Sequence, residues 1–137
     1  MMARLVPYIF SEDAKSQAEF YVKALGGEIR SVQTFGDLPG SAEELKNKVI
    51  HLDMEAAGVP LFLSDSPSGP IHRGNGTDLS LIFGTEDEAR EAFAKLSEGG
   101  VVKDPLQVQF WGALFGRLED KFGVSWQVSN EFAPIQS

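Results

Sequence analysis

No cysteine occurs among the 137 residues, which excludes disulfides, a thiolate nucleophile and any sulfur-ligated metal. No apolar run approaches the roughly 20 residues that a membrane-spanning helix requires. The opening Met-Met-Ala-Arg-Leu-Val-Pro-Tyr-Ile-Phe passes straight into the polar Ser-Glu-Asp-Ala-Lys without a cleavage-like site, so a cytoplasmic protein with no membrane association is expected. Basic residues are scarce: 12 lysines and arginines face 20 acids, a formal charge of −8. A field of that sign repels phosphate backbones, which argues against a nucleic-acid partner and leaves neutral or cationic ones. It also keeps the chain soluble. What remains, 42% hydrophobic and 23% charged, is the balance of one globular domain with enough surface to bury a core unaided.

Read along its length, the chain repeats itself. Ser11 to Ile29 and Thr85 to Val102 share a hydroxyl residue, Glu-Asp, an aromatic at Phe20 or Phe93, and a closing Gly-Gly. Each reads as one amphipathic helix: Ala14, Ala18, Tyr21, Val22 and Leu25 share a face in the first, and Ala89, Ala92, Phe93 and Leu96 share one in the second. Ser11 and Thr85 are placed as N-caps with acids in the first turn, Thr85 and Glu88 are spaced as a capping box, and the Gly-Gly pairs supply the stop. Strand-like runs surround both helices. Arg4–Phe10 precedes the first helix, and residues 28–35, 48–54 and 59–65 follow it, the last two separated by a turn at Ala57-Gly58. Thr77–Phe83 precedes the second helix, and residues 101–110, 111–118 and 124–130 follow it. Each half is strand, helix, strand, strand, strand. Two modules, 1–66 and 76–137, are joined by a Pro/Gly-rich linker, 66–76, whose Gly74-Asn75-Gly76 is no phosphate loop because a strand follows it.

Alternation within the strands says which side each helix covers. In residues 48–54, Ile50, Leu52 and Met54 form a greasy face, and Val49, His51 and Asp53 a mixed one. The helix must cover the greasy face, since buried apolar area is worth roughly 25 cal/mol per Å². Polar groups on the opposite face then include His51 and Asp53 in one half, and Asp78, Ser80, Ser125, Gln127 and Ser129 in the other. Tyr8, Phe10, Phe62 and Ile82 are candidates to share those faces. Two such faces turned toward one hollow would form a cavity.

Four stretches carry a resemblance to a known family: the Pro7-Tyr8 strand, the helix AEFYVKALGGEI, the strand end LFLSD, and the C-terminal FWGALFGRLEDKFGVSWQVSNE. Together, from about Leu5 to Glu131, they resemble the PhnB-like branch of the vicinal oxygen chelate superfamily, the group of glyoxalases, dioxygenases and bleomycin or fosfomycin resistance proteins. The resemblance implies an α+β fold of tandem βαβββ modules forming a cupped, barrel-like mixed sheet with helices on its outer faces, commonly in a homodimer. It also implies a divalent metal held between strands so that neighbouring substrate oxygens chelate it. The family's ligand positions fall here at Val6 or Pro7, near Phe62, at Asp78 and at Gln127. The first two cannot coordinate, and Gln127 stands where metal-dependent relatives place a glutamate.

The chain is therefore expected to bind a small molecule without a family-type metal or other cofactor. The residues expected to line its site are Tyr8, His51, Phe62, Asp78, Trp111, Ser125 and Gln127. The alternative is a divalent-metal-dependent lyase, isomerase or dioxygenase with an altered site of His51, Asp78 and Gln127. His51 is also a candidate general base beside Asp53, whereas His72, in the linker, is expected to face solvent. Phe110 and Trp111 read as opposite faces of a strand, Phe110 in the core and Trp111 toward the cavity or a partner chain, with Gly112 and Gly116 marking close backbone approach or bulges. Trp126 is expected beneath a helix, and Arg117–Gly123 reads as a charged turn that serves geometry. A methyltransferase reading finds no support, because no Gly-rich loop joins a first strand to a helix.

Overall fold

A computed structural model describes residues 1–67 and 69–131 of the chain. It divides into two compact units, the first ending at His72 and the second beginning at Arg73. The first contains β1 (Tyr8–Ser11), α1 (Ala14–Leu25), β2 (Gly27–Thr34), β3 (Val49–Ala56) and β4 (Val59–Asp65). The second contains β5 (Leu79–Phe83), α2 (Glu86–Leu96), β6 (Val101–Val108), β7 (Leu114–Glu119) and β8 (Ser125–Asn130). Each unit is one βαβββ module with a four-stranded mixed sheet, ordered β1-β4-β3-β2 in the first and β5-β8-β7-β6 in the second. β1 runs parallel to β4 and β5 to β8, and the remaining pairs are antiparallel. This is the α+β tandem-module architecture expected from the sequence.

In both units the helix lies on the greasy face of its own sheet. Leu52, Met54, Leu61 and Leu63 are buried beneath α1 with Ala14, Ala18 and Tyr21, and Leu114, Leu118, Trp126 and Val128 are buried beneath α2 with Ala89, Phe93 and Leu96. Each such Leu- or Met-sized side chain contributes roughly 1.5–3 kcal/mol by leaving water. The α2 face follows the expectation residue for residue. On α1, Val22 and Leu25 are only half-buried, while Gln17 and Ala24 complete the face. Gln17 enters the core because its amide donates to the Tyr21 hydroxyl at 2.8 Å.

The helix ends correct the sequence reading in detail. Asp13, not Ser11, caps α1: its carboxylate accepts the Ser16 N–H at 3.1 Å, while Ser11 closes β1. No acid therefore occupies the first turn of α1, whereas α2 carries Glu86, Asp87 and Glu88 there. Thr85 caps α2 as expected, accepting the Glu88 N–H at 3.2 Å, but its hydroxyl donates to the Glu88 carboxylate at 2.8 Å. Gly26 stops α1 at φ 76°, a conformation costly for any residue with a Cβ. α2 instead ends at Leu96 with Ser97 as its C-cap, and Gly99-Gly100 belongs to the turn that follows. The β3–β4 hairpin turns at Ala57 and Gly58, both with positive φ, as a two-residue loop between twisted strands requires.

One feature of the duplication is chemical. At the end of β4, the Asp65 carboxylate accepts the N–H of Val49 at 2.7 Å and that of Ala14 at 2.8 Å. At the end of β8, the Asn130 side-chain oxygen accepts the N–H of Leu114, also at 2.7 Å. An Asx side chain thus pins the start of the neighbouring strand in both modules.

Candidate functional site

Strand register decides which side chains meet on the faces the helices leave uncovered. In the first unit Tyr8 pairs with Phe62 across β1–β4, and Phe62 with Asp53 across β4–β3, so Tyr8, Phe62, Asp53 and, two residues along, His51 share one face. Their rings touch: His51 lies 5.0 Å from Phe62 and 5.6 Å from Tyr8, and Tyr8 lies 5.5 Å from Phe10, centroid to centroid. The Tyr8 hydroxyl stands 3.1 Å from His51 Nδ1. His51 therefore takes Tyr8 as its partner, not Asp53, because side chains two apart on a strand are parallel without touching. Tyr8 and Phe10 remain 44% and 46% exposed, a large apolar area left open to water. Beside them is a cavity of about 400 Å³, lined among others by Tyr8, Phe10, Phe35, Leu45, Lys48 and Ile50.

The second unit builds a polar network on the corresponding face. Gln127 pairs with Ser80 on β5 and with Arg117 on β7, and Ser125 pairs with Glu119. Arg117 Nε donates to Asp78 Oδ2 at 2.8 Å, Arg117 Nη1 donates to Asp104 at 3.2 Å, and the Gln127 amide donates to Asp78 Oδ2 at 3.2 Å. The hydrogen bond from Arg117, aided by that from Gln127, holds the Asp78 carboxyl below its ordinary pKa against the opposing effect of burial. Asp78 in turn, with Asp104, raises the Arg117 guanidinium above its ordinary value. The Ser125 hydroxyl accepts from Lys103 at 3.1 Å.

The seven residues named from sequence are divided between the two units. Tyr8, His51 and Phe62 form the aromatic cluster, and Asp78 and Gln127 share the polar network with Ser125 on the same face. Trp111 belongs to neither. It lies in a turn ahead of β7, not on a strand, with its ring 4.8 Å from Phe110 and 6.4 Å from Phe115. There it lines a more open recess of about 620 Å³ with Ile82, Phe115 and Ser129. Phe110, expected in the core, is 96% exposed in the same turn. Hydrogen bonds from Gln109 N–H to Ala113 and from Gly112 N–H to Gln109 close that turn and delay β7 to Leu114. Gly116 does mark a close approach: a Cβ there would lie 2.8 Å from the Phe93 ring and 2.9 Å from the Leu106 Cα. His72 is exposed, as expected.

Sequence reasoning missed Arg117 and Asp104 as members of the network. The sequence groups Arg117 with a charged turn, and only its pairing opposite Gln127 places it on the mixed face. The turn itself has a structural role. Asp120, 2% exposed, accepts the backbone N–H groups of Phe122 and Val124 and the indole N–H of Trp126.

Comparison with known proteins agrees with this architecture. Protein PA1353 of Pseudomonas aeruginosa has a crystal structure that superposes with a TM-score of 0.82 at 35% identity, over 95% of this chain and 98% of that one. A Bacillus cereus PhnB protein, described as a putative 3-demethylubiquinone-9 3-methyltransferase, superposes at 0.75 with 27% identity, over 94% of this chain and 100% of that one. YjdN of Escherichia coli K12 is 28% identical over 138 aligned positions, covering 91% of this chain and 93% of its own. With residues 3–128 matching the family described as "Glyoxalase/Bleomycin resistance protein/Dioxygenase superfamily", and with PhnB-like proteins among its structural neighbours, the chain belongs to that superfamily.

Proposed function

We propose that the protein binds a small organic molecule on the mixed face of its sheets, through aromatic contact and hydrogen bonds and without a metal of the family's type. The observation that carries this reading is the open cluster of Tyr8, Phe10, His51 and Phe62 beside the cavity of about 400 Å³. That volume falls within the usual range for small-molecule sites, and its walls combine aromatic rings with a few polar groups. The net charge of −8 favours a neutral or cationic ligand.

The family's metal does not fit the residues present. Of the four ligand positions the family implies, the first unit offers Val6 or Pro7 and Phe62, none with a coordinating side chain, and the Pro7 carbonyl already accepts the Phe62 N–H at 3.0 Å. The second offers Asp78, matched by Arg117, and Gln127, whose amide nitrogen is turned toward Asp78. Among the described residues no three His, Asp or Glu side chains converge as a metal-binding group. Methyl transfer is no better served: Glu12-Asp13 and Gly84-Thr85 are the entire strand-to-helix connections, with no Gly-rich turn for a nucleotide-type cofactor.

Fluorescence titration with N-phenyl-1-naphthylamine, a neutral aromatic probe, tests the binding reading. Saturable binding at one site per unit-1 cavity is expected, weakened by about tenfold in Tyr8→Ala or Phe10→Ala. Binding that is absent, or indifferent to both substitutions, sinks it. A second reading, acid–base catalysis by His51, is favoured by the Tyr8 contact alone. It requires Nδ1–H to donate to the Tyr8 oxygen and leave Nε2 as the base. Nitrogen-15 chemical shifts showing the proton on Nε2 would exclude it. In this proposal the protein works in the cytoplasm as a homodimer, and light scattering that finds only a 14.9 kDa species contradicts the assembly.

A further inference from the structure

The network on the second unit's mixed face has a role that the aromatic cluster does not use. Asp78, just ahead of β5, Asp104 on β6, Arg117 on β7 and Gln127 on β8 link all four strands of the sheet through one guanidinium, two carboxylates and one amide. A carboxylate oxygen only accepts, so Gln127 must present its nitrogen to Asp78 and turn its oxygen away. The two residues at the family's ligand positions are thus bonded to each other. The Asp78 side chain is 12% exposed, that of Arg117 33% and that of Asp104 55%, so the guanidinium bridges a mostly covered carboxylate to an open one.

We propose that Arg117 has replaced the divalent metal on this face, serving as the built-in cation of Asp78 and Asp104 and closing the Asp78–Gln127 pair to metal ions. A guanidinium stays protonated at every pH the fold survives, so its charge is permanent. A hard divalent ion needs several oxygens at about 2.0–2.6 Å. Here Asp78 Oδ2 already takes two donors, Gln127 offers an NH₂ group, and an incoming ion meets a fixed positive charge beside the same carboxylate. Arg117 Nη2 has no hydrogen-bond partner among the described residues, so one edge of the guanidinium remains to meet a ligand oxygen. Without the guanidinium, the Asp78 and Asp104 carboxylates face the place it held, and the Gln127 amide is released to turn its oxygen inward. That is a hard-oxygen set suited to Mn²⁺ or Mg²⁺.

The test is Mn²⁺ binding to the full chain, followed by the electron paramagnetic resonance of free Mn²⁺ and by paramagnetic broadening of the Asp78 and Gln127 amide signals. The wild type is expected to leave millimolar Mn²⁺ free and those signals sharp. Arg117→Met should bind Mn²⁺ at least about tenfold more tightly, and Arg117→Met with Asp78→Asn should lose that gain. Asp104→Asn, which keeps the guanidinium, should remain indifferent to Mn²⁺. Wild-type broadening at Asp78 and Gln127 overturns the proposal, as does an Arg117→Met protein that keeps its Trp126 near-ultraviolet signal yet gains no affinity. If Arg117→Met fails to fold, the wild-type spectrum still decides: sharp signals support the replacement and broadened ones refute it. This inference rests on the metal-free part of the proposed function; failure of the aromatic probe to bind the first unit would leave it untouched, so aromatic binding and metal exclusion fail separately.

Discussion

Replacing Asp120 by alanine or asparagine tests how the second unit's last hairpin is held. The carboxylate accepts the Phe122 N–H at 2.8 Å and the Val124 N–H at 3.1 Å through one oxygen, and the Trp126 indole N–H at 2.8 Å through the other. Val124 and Trp126 are 6% and 1% exposed, so water cannot replace the lost acceptor for either, whereas Phe122 is half-exposed. A buried donor left unpaired costs about 1–3 kcal/mol, so Asp120→Ala, which orphans two, should destabilise by about 2–6 kcal/mol. Asp120→Asn keeps one oxygen for the two backbone donors but sets an NH₂ group against the indole N–H, and should cost about 1–3 kcal/mol. Against a total stability of about 5–15 kcal/mol, either loss is readily measured. The assay is urea unfolding followed by Trp126 fluorescence in a Trp111→Phe background, which removes the half-exposed indole. Glu119→Gln, at the neighbouring half-buried position whose carboxylate meets Lys103 only at 3.8 Å, should change stability by less than about 0.5 kcal/mol. If Asp120→Asn is as neutral as Glu119→Gln, the hydrogen-bond accounting is wrong.

Further substitutions probe other joints of the fold. Gly116→Ala forces a Cβ against the Phe93 ring and the Leu106 backbone, and should lower stability by about 1–3 kcal/mol in thermal melts; an unchanged melting temperature would deny the close packing of α2 there. Because the folded pKa of Asp78 is depressed, its contribution is present above the unfolded carboxylate value of about 3.9 and is lost as pH falls through the lower folded value. Asp78→Asn should therefore flatten the acid limb of stability below about pH 4, and an identical acid limb in the two proteins contradicts the assignment. Thr85→Ala should cost ~1 kcal/mol in chemical denaturation through loss of the α2 cap, while Ser11→Ala should leave the helix cap intact because Asp13 holds that position.

Element order was legible in the sequence because it rests on periodicity, which each segment carries within itself. β4 begins and ends where the alternation of Val59–Asp65 does, and the buried face of α2 is the one its spacing describes. Caps were less legible because Ser11, Glu12 and Asp13 stand in succession and two of them are good N-caps. The choice fell to Asp13 only once Asp65, from the end of β4, took the Ala14 N–H. Phe110 and Trp111 misled for a similar reason: their alternation with Gly112 and Ala113 looks like a strand, yet the backbone closes on itself between Gln109 and Ala113.

The site divides along the same line. Hydrophobic spacing determined two βαβββ modules and the face each helix covers, because burial of apolar area is local to each strand and helix. It failed at the start of β3, where Val49, expected on the mixed face, is buried and Ile50, expected beneath the helix, is half-buried and lines the cavity. Which side chains of the uncovered faces touch was decided by tertiary structure. Strand register brought Tyr8 to His51 across a gap of 43 positions, where no local pattern encodes it, and Arg117 to Gln127 across the β7–β8 hairpin, where the turn at Asp120–Gly123 sets it. A one-residue slip would turn each of these side chains to the other side of its sheet, so the site depends on how the strands pair more than on which residues they contain.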